Sequence, residues 1–231
     1  MALIIQVSKF VLIPGAGGMA WYWHRVIPEL SARGHQAVAV DLPGDDESVG
    51  LPEYAAKVLA AIGDDRDVVV VGQSLGGFTA VAVCARVPVR LLVLVNAIIP
   101  LPGETPGQWF ATTGSEEARN DAAKRGGYQA GLDIGAYSIH DVPREVLASG
   151  EGTFRGQARV VMSQPCQIDR WPPVPTRILV GADNRVFPPE FQRRLARARL
   201  GLEVELLPGG HLVALSQPRE LAERLVRFLA A

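Results

Sequence analysis

The sequence has almost no excess of charge of either sign: 23 Lys and Arg stand against 24 Asp and Glu, a net charge of -1. A chain without a basic face carries no electrostatic footprint for nucleic acid or an anionic membrane, so the expected partner is a small molecule. Cysteine is nearly absent. Cys84 and Cys166 have neither a metal-ligand spacing nor the pattern of a disulfide framework, and Cys84, on an apolar stretch, reads as a small core residue. No motif calls for a metal or a cofactor. No apolar run approaches the ~18 residues of a membrane span. The opening MALIIQVSKFVLIPG lacks a basic leader, a long unbroken apolar core and a small-residue cleavage site, so a soluble, cytoplasmic protein is expected. Lysine is scarce too, found only at Lys9, Lys57 and Lys124. That arginine bias is an association with a GC-rich bacterial source. Repeats and low-complexity tracts are missing.

What is present is enough for a sizeable core. At 231 residues and 48% hydrophobic, the chain is most economically one domain spanning 1–231. Phe10 to Ile13 reads as a strand running into the glycine-rich Pro14-Gly15-Ala16-Gly17-Gly18. Trp21 to Leu30 has apolar residues at helical spacing and stops at Arg33-Gly34. Gln36 to Val40 is a strand closed by Asp41-Leu42-Pro43-Gly44, Tyr54 to Ile62 an alanine-rich helix, and Leu91 to Val95 a fully apolar strand ending at Asn96. After a long interruption, Thr176 to Val180, a helix from Pro189 to Leu200, Leu202 to Leu207 and a helix from Pro218 to Ala230 complete the pattern. Strand alternating with helix calls for a mostly parallel sheet of about six core strands, with helices on both faces.

The interruption spans about 101–171. It is too long for a loop inside a compact domain, so a mainly helical cap inserted into the domain is expected, with helical pieces near 115–130 and 143–150. Its aromatics, Trp109 and Tyr137 among them, either line a pocket or form the cap's own core. His140 in the same segment is a further candidate for substrate contact. His24 and His35 look like ordinary surface histidines.

The most informative stretch is Val68 to Gly77, VVVVGQSLGG. Four valines read as a strand buried on both faces, and Leu75 to Ala85 then switches to helical spacing. Between them stands Gly72-Gln73-Ser74-Leu75-Gly76, a GxSxG on a strand-to-helix turn. Glycines two residues either side of Ser74 leave room for a strained turn that exposes its Oγ above the sheet. This context resembles the nucleophile elbow of the α/β-hydrolase family. The likeness extends from Phe10 to Ala230, and Gly18-Met19-Ala20-Trp21-Tyr22-Trp23, Gly34-His35 and Asp41-Leu42-Pro43-Gly44 are similar to the small-ester group that includes plant-type methyl esterases and hydroxynitrile lyases. The family's sheet usually begins with an antiparallel hairpin. With only nine residues before Phe10, at least part of that hairpin should be missing.

The resemblance implies an α/β-hydrolase fold and a chain order of nucleophile, acid and base: Ser74, Asp183 and His211, all at the C-terminal ends of strands, where open α/β sheets bind ligands. Ser74 would attack a carbonyl, His211 would take its proton, and the carboxylate would fix the imidazole tautomer. For the oxyanion hole it implies the backbone N–H of Leu75 and of Ala16, the latter in a Pro14-Gly15-Ala16 where the family usually has His-Gly-x. The acid position departs from the family's spacing. An aspartate four residues before a proline is usual there, and counting back from Pro188 reaches Asn184; Asp183 is one residue early. Asp183 is favoured over Asn184 or a carboxylate from elsewhere. The expected activity is hydrolysis of a small, mostly apolar carboxylic ester or lactone through an acyl-Ser74 intermediate. A lyase, acyl-transfer or thioesterase reaction on the same Ser-His pair, and a non-enzymatic ligand-binding role, stay open. The oligomeric state is equally open.

Overall fold

The computed structural model describes residues 7–129, 134–150 and 154–230. Among them one six-stranded sheet forms from β1 (Lys9–Ile13), β2 (Gln36–Ala39), β3 (Val68–Gln73), β4 (Leu91–Val95), β5 (Thr176–Gly181) and β6 (Glu205–Leu207). Every pairing is parallel, in the order β2-β1-β3-β4-β5-β6. The central strands are buried on both faces because their residues alternate between two cores. Val11, Ile13, Val68, Val70, Leu92 and Leu94 point to one side, and Phe10, Leu12, Val69, Val71, Leu91 and Val93 to the other. Each fully buried valine or leucine removes enough apolar surface to contribute about 1.5–3 kcal/mol. An unbroken apolar run is what such a strand requires.

Helices α1 (Val26–Ser31), α2 (Leu51–Ile62) and α3 (Gly76–Cys84) connect the first strands. Between β4 and β5 the chain forms α4 (Pro106–Thr112), α5 (Ser115–Gly126), α6 (Ile134–Ile139), α7 (Arg144–Ser149) and α8 (Arg159–Ser163), and α9 (Pro189–Leu200), α10 (Val213–Ser216) and α11 (Pro218–Arg227) follow. Val26, Leu30, Leu221 and Leu225 of α1 and α11 pack on one face of the sheet. Tyr54, Val58, Phe78, Phe191 and Leu195 of α2, α3 and α9 pack on the other. The result is the α/β-hydrolase architecture, with helices on both sides of a parallel sheet.

Several expectations shift in detail. The helix expected from Trp21 to Leu30 is broken into a 3-10 turn at Ala20–Trp23 and α1, which starts at Val26. Pro28 explains the break: in a helix starting at Trp21 it would sit in the interior without an N–H, whereas in α1 it falls in the first turn. α2 starts three residues before Tyr54, with Pro52 in its first turn and the Glu53 side chain accepting the Gly50 N–H at 2.8 Å. His35 is not a surface residue. It is buried between α1 and β2, accepts the Ser8 N–H on Nδ1 at 3.3 Å, and sets its ring edge-on to Phe10. Burial, with Arg90 nearby, holds its pKa below the ordinary range. Cys84 and Cys166 are free, buried thiols pushed up to about 12 by burial. Residues 1–6, where any leading hairpin strand would lie, are outside the described residues. No described helix is long and apolar enough to cross a membrane.

Candidate active site

Ser74 sits on a turn that few side chains tolerate, with φ 51°. Its N–H donates to Val95 O at 3.2 Å and its carbonyl accepts the Ile98 N–H at 3.0 Å, so the end of β4 locks the elbow on both sides. The two glycines are needed for close approach. A Cβ on Gly72 would lie 2.8 Å from the Ala80 Cβ, and one on Gly76 would run into the carbonyls of Ile13 and Pro14. Gly15 presses against the serine itself, since a Cβ there would come within 2.8 Å of the Ser74 Cβ. This brings the Pro14-Gly15-Ala16 loop to the elbow, with Ala16 beside it. Among the described residues, neither the Ala16 nor the Leu75 N–H is used in a backbone hydrogen bond.

His211 follows β6 on a loop turned by Gly209, φ 106°. Its Nε2 lies 3.1 Å from Ser74 Oγ, within hydrogen-bond reach for proton transfer. Two amides hold the loop. Asn96, at φ 47°, donates from Nδ2 to Gly210 O at 3.0 Å and His211 O at 2.9 Å, while its Oδ1 accepts the Gly181 N–H at 2.8 Å. Thus one buried side chain fastens the ends of β4 and β5 to the histidine. Gln73 donates to His211 O at 3.4 Å, with its Nε2 also 3.4 Å from the imidazole Nε2. Burial pushes His211 down to about 3, against the opposing pull of Asp141. At neutral pH the imidazole is therefore uncharged and able to accept a proton.

The third member expected at this site is not where the sequence suggests. Asp183 is exposed; its backbone N–H donates to Gly209 O at 3.0 Å, but its carboxylate does not meet His211. Asn184 turns inward instead. Its Oδ1 accepts the N–H groups of Val186 and Phe187, each at 3.1 Å, and its Nδ2 is buried without a partner among the described residues. The chain turns here, with the Asn184 N–H donating to Gly181 O at 3.1 Å, and the turn sends Asp183 outward and Asn184 inward. The carboxylate that does approach comes from the helical segment inserted between β4 and β5: Asp141, just after α6, accepts the Gly210 N–H on Oδ2 at 2.6 Å.

Residues 10–224 match the model of the alpha/beta hydrolase family. The chain belongs to that family. This hydrolase is 28% identical to "Probable esterase PIR7A" of Oryza sativa subsp. japonica, over 96% of the chain and 97% of that protein. It is 25% identical to polyneuridine aldehyde esterase of Rauvolfia serpentina, over 96% and 95% of the two chains. The crystal structure of a polyneuridine aldehyde esterase superposes with a TM-score of 0.79 at 21% identity, covering 98% of this chain and 100% of that one. A pyrethroid hydrolase from Sphingobium faniae superposes with a TM-score of 0.74 at 24% identity, covering 98% of each. The hydrolase is thus of the esterase type. The two esterase relatives are plant proteins, so they do not show the bacterial source that the arginine bias suggests.

The insertion residues expected at the substrate are dispersed. Trp109 is fully buried among Phe110, Phe187 and Phe191, and it reaches His211 only through Phe187, whose ring stands 5.4 Å from the imidazole. Tyr137 is buried, stacks edge-on to Tyr128 and donates its hydroxyl to Gln129 O at 2.5 Å. His140 is half-buried, with Nδ1 3.1 Å from Tyr137 O, and lines a cavity of about 480 Å³ together with Asp141 and Asn184. Sequence reasoning misses Asn96, Gln73 and Asp141. Asn96 carries a signal, a polar residue ending an apolar strand. Gln73 and Asp141 carry none, because their partners are distant in sequence.

Proposed function

We propose that this hydrolase cleaves a small, mostly apolar carboxylic ester or lactone through an acyl-Ser74 intermediate. The observation that carries the reading is the 3.1 Å contact between Ser74 Oγ and a buried His211 Nε2, on an elbow that holds the serine at positive φ. His211 accepts the Oγ proton as the Oγ–carbon bond forms, then gives it to the departing alkoxide; water repeats the sequence and releases the acid. The N–H groups of Leu75 and Ala16, free of other backbone partners, supply the two donors that the oxyanion requires. A small cavity beside the elbow, about 40 Å³, is lined by Ala16, Trp21, Tyr22, Phe154 and Leu215, which supports a small apolar acyl or alkyl group. Asn184 in the family's acid slot favours a second reading, a ligand-binding homologue without turnover.

Hydrolysis of short-chain p-nitrophenyl esters separates the two readings. Turnover by the wild type that falls by about 10⁴-fold or more in Ser74→Ala supports the esterase. Binding of the ester without turnover, unchanged by that substitution, supports the ligand-binding role.

A further inference from the structure

Among the described residues, four polar atoms beside the His211 loop are buried without partners: His211 Nδ1, Asp141 Oδ1, Asn184 Nδ2 and Ser216 Oγ. Leaving one such group unpaired costs about 1–3 kcal/mol, so four around one loop call for a common solution. The chemistry of each atom narrows it. Asn184 Oδ1 is already committed to two backbone N–H groups, so its Nδ2 can only donate. If Nδ2 donated to His211 Nδ1, the imidazole proton would have to sit on Nε2, facing Ser74, where it cannot accept the serine's proton. An acceptor is therefore required; of the two unpartnered oxygens here, Ser216 Oγ and Asp141 Oδ1, the carboxylate alone carries the charge that stabilises an imidazolium. A carboxylate oxygen has two lone-pair sites and can take both donors.

We infer that Asp141, carried by the insertion, is the positioning acid of His211, replacing a carboxylate on the loop after β5. Asp141 is already tied to this loop, because its Oδ2 holds the N–H of Gly210, the residue immediately before the histidine. A Cβ on Gly210 would lie 2.6 Å from Asp141 Oδ1, which shows why this position takes glycine. Asp183, the nearer acid in sequence spacing, faces solvent. With Asp141 accepting from Nδ1–H, the proton is fixed on Nδ1 and Nε2 is left to accept from Ser74. Asn184 Nδ2 becomes the second donor that steadies the carboxylate. The titratable groups around Asp141 are Tyr22, and in the adjoining cavity Arg125, Tyr128, His140, Asp183, Arg185 and Glu190. Asp141 is the charged neighbour that opposes burial in setting the His211 pKa. The arrangement makes the insertion a condition of base activation.

This inference rests on the proposed Ser74–His211 chemistry, and its test keeps the two apart. Asp141→Asn should lower kcat for a p-nitrophenyl ester by about 10³–10⁴-fold, as loss of a tautomer-fixing carboxylate does elsewhere. Adding Asn184→Asp to that variant should recover at least about 100-fold, because it restores a carboxylate in the slot after β5. The acidic limb of kcat/KM should move to lower pH in Asp141→Asn, since a negative neighbour of the imidazolium has been removed. Activity of Asp141→Asn within threefold of wild type overturns the inference, as does a loss confined to Asp183→Asn. A loss in Asp141→Asn with an unchanged pH profile and no recovery on adding Asn184→Asp also overturns it, since that describes packing alone. The wild-type protein decides the question even if the variant does not fold: ¹⁵N and ¹H resonances of His211 should place its proton on Nδ1, and a proton on Nε2 overturns the inference. If Ser74→Ala retains turnover, the esterase reading itself fails, whatever Asp141 does.

Discussion

Two turns approach His211, and they are carried by different parts of the molecule. The turn after β5, Gly181 to Asn184, hangs from the sheet and is fixed by β5 pairing and by Asn96. The turn after α6, His140-Asp141, belongs to the insertion and is fixed by its grip on Gly210. The sheet-borne turn offers an amide and faces its acid to solvent; the insertion-borne turn offers a carboxylate. The position usual for the acid in this family and the carboxylate in place are thus separated. Fold fixes where strand ends converge, but the residue types at those ends decide what each can contribute.

Breaking the sheet-borne half should produce the largest effects. His211→Ala should lower esterase turnover by about 10⁴–10⁶-fold with little change in folding, measured by kcat alongside circular dichroism. Asn96→Ala strips partners from the Gly181 N–H and from the Gly210 and His211 carbonyls, all buried at the site. It should cost about 3 kcal/mol by urea unfolding and lower kcat more than tenfold. A variant that keeps full stability would show that the two strand ends hold the loop without it.

Acid should act on the sheet-borne half through His211. A histidine held at about 3 in the folded state and near its ordinary value when unfolded binds more protons unfolded. Its contribution to stability is complete above about pH 6.5 and is lost as pH falls toward 3. The midpoint urea concentration should therefore decline across that window, and the decline should flatten in His211→Ala. The smallest effect should come from the insertion's aromatics. Tyr137→Phe removes one hydroxyl bond, to Gln129 O, and should cost about 1 kcal/mol with kcat/KM unchanged within threefold. A tenfold fall in kcat/KM at constant stability would place Tyr137 at the substrate.

The same division explains what can be read from the residues alone. Val68 to Val71, Leu91 to Val95 and the GxSxG announce themselves because burial on both faces of a sheet demands unbroken apolar runs, and a sharp turn demands glycine. His211 is legible as a residue on a glycine loop after a strand. The outward orientation of Asp183 is not, because Gly181 to Asn184 forms a turn and no side-chain periodicity governs a turn. The insertion is legible only as an interruption. α4, α6 and α8 are short, and the place of Asp141 depends on contacts with a glycine pair far along the chain.

The central claim is that Ser74 is made nucleophilic by His211. A fluorophosphonate, which phosphonylates an activated serine, tests it most directly when intact-mass labelling is followed against pH. Activation by His211 predicts one adduct on Ser74, none in Ser74→Ala, labelling slowed by orders of magnitude in His211→Ala, and a rate that holds well below pH 6.5 because the imidazole stays neutral there. No adduct, or labelling equally fast without His211, would contradict it.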